Sequence, residues 1–417
     1  MEFAKVSPYR PLLLAPLRRL FLCCALTASV FMPVARAADD TIKIGAPLEL
    51  SGRFVAFGTS GKRGIEMAVD AFKGRVANKK IELLLRDVQS DPQVTVQVMN
   101  DLIEHKKVHL LFGPVSSVLV STSIPAWRQG KPVWVVPGSN STRLEEEVGA
   151  EPRVFHTFPY TYHYHAAMSA ALRQAVGPGK TVAILYADDA YGRSALPAAR
   201  KYFSAAGFKI VTEELVRSGA ADLNPVLQKI RMAKPDVLVN LVQTTDLATL
   251  AKQIRIAGLD TPYLTDGIDI FYDEWQKAVG DAKEGWIGVA GYIAGMDRPA
   301  STDHPDIFPS LADWRARYRQ RYNLEPGYIE IEAYSAAAML LLAVDKAGSD
   351  DPDKVAVELK KLDVQTLLGR GHFVPTPSGT ANQAFQNLMV VQLQGGKSVI
   401  VYPNDVATGK LIPRSVK

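Results

Sequence analysis

LLFGPVSSVLVSTSIPAWRQGKPVWVVPGSNSTRL, residues 110–144, holds two strand-like runs that each end in a turn of small polar residues. Residues 108–112 are apolar and short enough for a strand, and Gly113-Pro114 cannot continue a sheet ladder. Ser116 and Ser117 then precede a helical periodicity. Their hydroxyls and the neighbouring N–H groups are expected at a helix N-terminus, where an anion is favoured. Residues 133–136 repeat the pattern: a strand-like run, closed by Pro137-Gly138, with Ser139, Asn140, Ser141 and Thr142 behind it. Either set of hydroxyls alone reads as ordinary helix capping. Two strand-turn-helix units side by side instead predict an open parallel sheet with a ligand crevice at its carboxyl edge.

Around this stretch the chain has 417 residues, enough for two domains, with 47% hydrophobic residues and no low-complexity segment. Its N-terminus differs from the rest. Basic residues through Arg19 precede the apolar run 20–34, and Ala35-Arg36-Ala37 supplies a small-x-small cleavage site, so residues 1–37 read as a secretory signal peptide. The run is short and broken by Pro33, which argues against a spanning helix. Arg18-Arg19 gives only a weak twin-arginine pattern, and the general export route is the expectation. Cys23 and Cys24 are the two cysteines of the chain. Leu22 before Cys23 is not the small residue lipidation needs, and cleavage would leave a cysteine-free protein without disulfides, thiolate metal sites or a Cys nucleophile. Five of the 48 basic residues and one of the 43 acidic ones lie in residues 1–37, so the remainder carries +1. A nucleic-acid partner is not expected from that charge.

Residues 41–46 read as the first strand, 47–64 as a glycine-rich loop, and 65–72 as a helix. A strand at 81–87 follows, then a helix opened by Asp91-Pro92. At 155–165, FHTFPYTYHYH, the alternation breaks and aromatics crowd together. A second series then begins, with strands at 181–186, 209–216, 237–242 and 263–265 and helices between them. It replays the first in its units but shows no residue-level repeat. Helices are expected at 311–322, 330–347 and 353–362. The apolar 330–347 helix is too short to cross a bilayer and reads as a buried core helix. A hairpin closes the chain at 390–402. The fold class is therefore α/β, with helices flanking mostly parallel sheets.

Motifs for chemistry are scarce. Gly58-Thr59-Ser60-Gly61-Lys62 fails as a phosphate loop, because Ala56 and Arg63 stand where Gly and Ser or Thr are needed. His156, His163 and His165 lack metal-ligand spacing and are expected on the surface or the cleft rim. No nucleophile-base pair, metal site or cofactor motif emerges, so no enzyme activity and no cofactor are expected. Phe57, Tyr160, Tyr162, Tyr164 and Tyr191 fall on expected loops, as for a cleft that stacks on an apolar or aromatic ligand.

Taken together, IKIGAPLELSG (42–52), Gly58 with Gly64-Ile65-Glu66-Met67-Ala68, the segment 87–92, FGPVSS (112–117), ADDAYG (187–192) and the closing hairpin resemble the type I periplasmic solute-binding proteins of ABC transporters, in the leucine/isoleucine/valine-binding branch. The resemblance spans nearly the whole chain after the signal peptide. It implies a two-lobed clamp with three hinge crossovers, lobe I at 38–158 and 291–384 and lobe II at 159–290 and 385–417. It also implies a periplasmic, monomeric receptor that hands a small solute to an ABC permease. By the same resemblance Ser117 with Ser116, and Gly138, Ser139 and Asn140, would bind a ligand carboxylate. Phe57, Tyr160 and Tyr191 would pack on the ligand, and Asp266 or Asp269 would meet its amine. Asn140 stands where branched-chain binders carry Thr, no Glu occupies the amine-pairing loop, and the aromatic segment is unusually dense. A different carboxylate, aromatic or not, and an amide therefore stay open beside branched-chain amino acids. Two rival classes remain: a ligand-sensing receptor domain for amides or aromatic compounds, and an extracytoplasmic enzyme.

Overall fold

The computed structural model describes residues 41–376, 382–385 and 388–415. The signal peptide expected over residues 1–37 lies outside them. In the first half, strands β1 (Thr41–Leu48), β2 (Arg75–Val76), β3 (Lys79–Asp87), β4 (Leu110–Phe112), β5 (Val133–Val136) and β6 (Val154–His156) alternate with helices α1 (Val55–Ala71), α2 (Pro92–Asn100), α3 (Ser117–Gly130) and α4 (Arg143–Val148). Helix α5 (Thr161–Val176) leads into β7 (Thr181–Ala187), β8 (Lys209–Val216), β9 (Val237–Leu241), β10 (Tyr263–Thr265) and β11 (Trp286–Ala290). These alternate with α6 (Ala190–Ala205), α7 (Asn224–Ala233), α8 (Thr244–Ile256) and α9 (Asp273–Val279). Three helices follow, α10 (Leu311–Tyr322), α11 (Tyr328–Ala347) and α12 (Pro352–Lys361). The chain then forms β12 (Asp363–Thr366), β13 (Gly369–His372), β14 (Val374–Pro375), β15 (Asn382–Gln383), β16 (Met389–Gln394) and β17 (Lys397–Tyr402).

Among the described residues one sheet runs β14-β15-β6-β5-β4-β1-β3-β2 and a second β17-β16-β11-β10-β9-β7-β8. Their central strands are parallel: β3, β1, β4, β5 and β6 in the first, β8, β7, β9, β10 and β11 in the second. The reason is in the residues. LLF of β4 and VWVV of β5 are buried throughout, as strands covered by helices on both faces must be. The chain moves from the first sheet to the second after β6, returns before β14, and leaves again after β15. These are three crossovers between the two sheets, the number the resemblance implies. In each sheet the strand order reverses beside the first strand of its half, β1 or β7, which opens a crevice at the carboxyl ends.

Several local expectations change. Of the glycine-rich segment read as a loop over 47–64, residues 47–48 end β1, 49–54 form the connection, and 55–64 are the first half of α1. Its glycines serve close packing: a Cβ on Gly58 would stand 2.2 Å from the Glu49 carbonyl oxygen, and one on Gly64 would stand 2.5 Å from the Ala333 Cβ. Without side chains there, α1 lies directly on the end of β1 and on α11. The aromatic segment contains β6 and the start of α5, so its break in pattern is a crossover and not a loop. Tyr162, Tyr164, Phe57 and Tyr191 thus sit in helices, and helix α6 begins at Ala190, under an Asp189 side chain that accepts from the Gly192 N–H at 2.9 Å. Helix α11, expected to be a core helix, is buried from Tyr328 to Val344. Glu330 on it accepts from Ser60 (2.9 Å) and Tyr318 (3.2 Å), which ties α1, α10 and α11 together.

Candidate ligand-binding site

The turns after β4 and β5 are locked to each other. A Cβ on Gly138 would stand 2.4 Å from the Val115 carbonyl oxygen, so only glycine lets the two turns touch. That contact brings the Ser117 hydroxyl within 3.2 Å of Asn140 Oδ1, to which it donates. Ser139 holds a left-handed backbone (φ 65°), and its buried hydroxyl has no partner among the described residues. Beneath the turn, His156 Nε2 stands 2.8 Å from the Gly138 and 2.7 Å from the Ser139 carbonyl oxygen, so the nitrogen carries the proton and donates to both.

Ser116 is different. Its hydroxyl accepts from Leu119 N at 3.4 Å and caps α3, the ordinary role of such a serine. The group that meets this helix end is a carboxyl of the chain itself. Glu49, fully buried at the end of β1, accepts from Ser116 N (2.8 Å) and Val115 N (3.1 Å). Burial raises its pKa, and those hydrogen bonds offset part of the rise.

Across from these turns stand the carboxyl ends of the second sheet. After β7 comes Tyr191 in the first turn of α6, after β9 Gln243, and after β10 the run Asp266 to Asp269. A residue-level repeat links the two halves here. Gly192 meets the Ala187 carbonyl oxygen at 2.2 Å from a notional Cβ, the same distance that Gly58 shows to Glu49. Phe57 and Tyr191, each just before its glycine, consequently face one cavity from opposite sides.

That cleft holds about 350 Å³ of empty space, part of it open to solvent. Phe57, Val115, Phe158, Ile268 and Ile329 give it apolar walls, and Ser116, Ser117, Gly138, Ser139, Asn140, Tyr191, Gln243 and Asp269 give it polar groups. Of the residues nominated from sequence, these include Phe57, Ser116, Ser117, Gly138, Ser139, Asn140, Tyr191 and Asp269. Tyr160 is placed elsewhere: it is buried, with its ring 4.1 Å from that of His156 and 5.5 Å from that of Tyr162. Asp266 does not line the cavity either, but is buried at the head of the same turn as Asp269, its Oδ1 accepting from Gly267 N at 2.5 Å. Gln243, Val115, Phe158, Ile268 and Ile329 were not nominated. Gln243 alone carried a usable signal, since it follows the strand VLVNLV as Tyr191 follows its own strand; the four apolar residues look like any core residue in sequence.

His156 and His165 are buried, a correction to the rim position expected for them. Burial lowers the pKa of His156 to about 4 and that of His165 to about 3. Both are neutral at pH 7. A base with a depressed folded-state pKa stabilises fully above its unfolded value, near 6.5, and the benefit is lost as pH falls toward 4. His156→Phe keeps the ring and leaves two carbonyls without their donor, so a loss of about 1–3 kcal/mol is expected at pH 7. The deficit should shrink toward pH 4 in urea melts, because the variant has no ring to protonate. Among the described residues no group of His, Cys, Asp and Glu has the arrangement to hold a metal ion.

The sequence profile described as periplasmic binding protein matches residues 41–397. The chain belongs to the type I periplasmic binding proteins of the leucine/isoleucine/valine-binding-like family. This binding protein is 25% identical over 351 residues to an amino acid binding protein of Pseudomonas aeruginosa, covering 83% of this chain and 89% of the relative. A leucine binding protein from Thermotoga maritima superposes with a TM-score of 0.76 at 22% identity, over 88% of this chain and 100% of the other. A solute binding protein of an ABC transporter from Rhodopseudomonas palustris, solved with 3,4-dihydroxybenzoic acid, gives 0.72 at 23% identity, over 89% and 98%. These relatives are binding proteins. Among the described residues no helix is long and apolar enough to cross a membrane.

Proposed function

We propose that this binding protein captures a small carboxylate-bearing solute between two lobes outside the cytoplasm and delivers it to an ABC permease. Lobe I is assigned to residues 38–158 and 291–384, lobe II to residues 159–290 and 385–417, and residues 1–37 to a cleaved signal peptide. The observation that carries the reading is one cavity faced by polar groups from the carboxyl ends of both sheets, with Ser139 Oγ and Gln243 Oε1 buried and unpartnered. Buried polar atoms without partners cost stability, which a solute supplying the missing hydrogen bonds would recover. Ser117, Ser139 and Asn140 take the carboxylate, Phe57, Phe158 and Tyr191 flank the apolar body, and the lobes close by the hinge segments at the crossovers. That one relative is named an amino acid binding protein and another was solved in complex with an aromatic acid fits both solute types.

A thermal-shift panel of amino acids, aromatic acids and amides tests this. A true ligand at 100 times its Kd stabilises the protein by about 2.7 kcal/mol, a rise of several degrees in Tm. No stabilisation by any member of the panel defeats the reading.

A further inference from the structure

Resting on that two-lobed reading, we propose that Arg53 is a latch between the lobes, a positioning residue that slows their reopening and so sets how long a captured solute is held.

Arg53 stands in the connection from β1 to α1, in the half built on the first sheet. Its Nη2 donates to Ser218 Oγ at 3.1 Å, in the turn after β8 of the second sheet. Ser218 is itself fixed. Its hydroxyl donates to Asp246 Oδ2 at 3.0 Å, and the Gly219 N–H lies 3.0 Å from each oxygen of the same carboxylate. Burial raises the pKa of Asp189, the N-cap of α6, and the Gly192 N–H and the Arg53 charge oppose that rise. One cation of the first half thus bonds to a hydroxyl held by one carboxylate of the second and acts on another.

The loop that carries Arg53 is tied down on its own side. Asp87 accepts from Ser51 Oγ at 2.7 Å and from Leu50 N at 3.0 Å, and Phe54 N donates to Ser90 Oγ at 3.0 Å. The guanidinium carbon lies 4.4 Å from the centroid of the Phe54 ring, a cation–π contact. Phe54 stacks on Phe57 at 6.0 Å, and Phe57 lines the cavity. Opposite, Asp189 and Asp246 begin the helices that follow or contain Tyr191 and Gln243, which line it too. Both ends of the contact are therefore continuous with the walls that enclose a solute.

Its place gives it leverage. The chain crosses between the sheets at β6, β14 and β15, all at one end of the first sheet, and at β11 and β16, toward one end of the second. Arg53 follows β1, away from those strands, and Ser218 follows β8, the edge strand at the far end of the second sheet. Rotation about the crossings breaks this contact. Because Arg53 is exposed, the interaction is modest and sensitive to salt, as suits a receptor that has to release what it holds.

Two arms test the proposal on the protein without residues 1–37. In the first, without solute, spin labels on Gln93→Cys in α2 and Gln228→Cys in α7 report the distance between lobes by pulsed electron resonance. Arg53→Glu should shift the distribution to longer distances, and Arg53→Lys, which keeps the charge, should stay near the wild type. In the second arm L-leucine, L-phenylalanine and benzoate are the probes, followed by stopped-flow fluorescence. Arg53→Gln and Ser218→Ala should raise koff of whichever probe binds by about threefold to tenfold and leave kon within about twofold. Raising the salt to about 0.5 M should increase the wild-type koff and leave that of Arg53→Gln flat. Unchanged distances in Arg53→Glu, or a koff that neither Arg53→Gln nor Ser218→Ala moves, overturn the latch and leave the solute-receptor reading standing. A lowered Tm with unchanged koff does the same, since a merely local role gives that result. If none of the three probes binds, the label distances alone decide the latch, while the thermal-shift panel decides the receptor reading.

Discussion

Gly58→Ala is expected to destabilise the protein by about 3 kcal/mol or more, although helix propensity alone argues for the opposite sign. Gly58 lies within α1, and alanine is favoured over glycine inside a helix by about 1 kcal/mol. The tertiary surroundings outweigh that gain. The new Cβ would stand 2.2 Å from the Glu49 carbonyl oxygen and 2.4 Å from its carbonyl carbon and nitrogen. These are backbone atoms at the end of β1, so no side chain can swing aside, and α1 must move by more than 1 Å against α11. Overpacking of this kind typically costs about 1–3 kcal/mol, and more where backbone has to shift. Gly192→Ala should behave alike, since it meets Ala187 backbone in the same way. Urea unfolding with intrinsic fluorescence reads the result. A Gly58→Ala protein as stable as the wild type would show that α1 does not sit on Glu49 as described. Because Phe57 is aimed by this contact, the variant should also lose solute affinity.

Glu49→Ala is the second large effect, expected near 4 kcal/mol. It orphans the buried N–H groups of Val115 and Ser116, each worth roughly 1–3 kcal/mol, and it opens a cavity behind the α3 N-terminus. Glu49→Gln keeps one carbonyl oxygen for those donors and should lose about half as much. The contrast between the two variants separates hydrogen bonding from charge. If Gln were as damaging as Ala, the negative charge at the helix end would be the main contribution; if both were neutral, the Glu49 contacts would carry no stability. Glu49 also shapes recognition. It occupies the Val115 and Ser116 donors permanently, so a solute carboxylate must rely on Ser117, Ser139 and Asn140.

Much of the site was readable before any coordinates. Gly113-Pro114 and Pro137-Gly138 stop strands for local steric reasons, and hydroxyl residues after them cap helices or face a crevice wherever they occur. That is why the two turns could be nominated as a pair, with Ser116, Ser117, Gly138, Ser139 and Asn140 singled out by the family resemblance. Sequence could not separate Ser116 from Ser117: one hydroxyl caps α3 and the other reaches Asn140, a difference set by helical phase and by how closely Gly138 approaches Val115. Tyr160 and Tyr164 are equally aromatic and four residues apart. Neither lines the cavity: the first packs against His156, and the second is buried with its ring within 3.2 Å of a notional Cβ on Gly267.

By itself, then, the sequence determined the alternation of strands and helices, the two polar turns and the family, because these follow from local propensity, periodicity and short motifs. Only the tertiary structure decided that the glycine-rich segment is helical, that Phe57-Gly58 and Tyr191-Gly192 are counterparts, and that Glu49, His156 and the Asp266–Asp269 pair are buried around one cavity. Each of these depends on contacts between residues distant in the chain, where burial and close approach, and not residue type, set the chemistry.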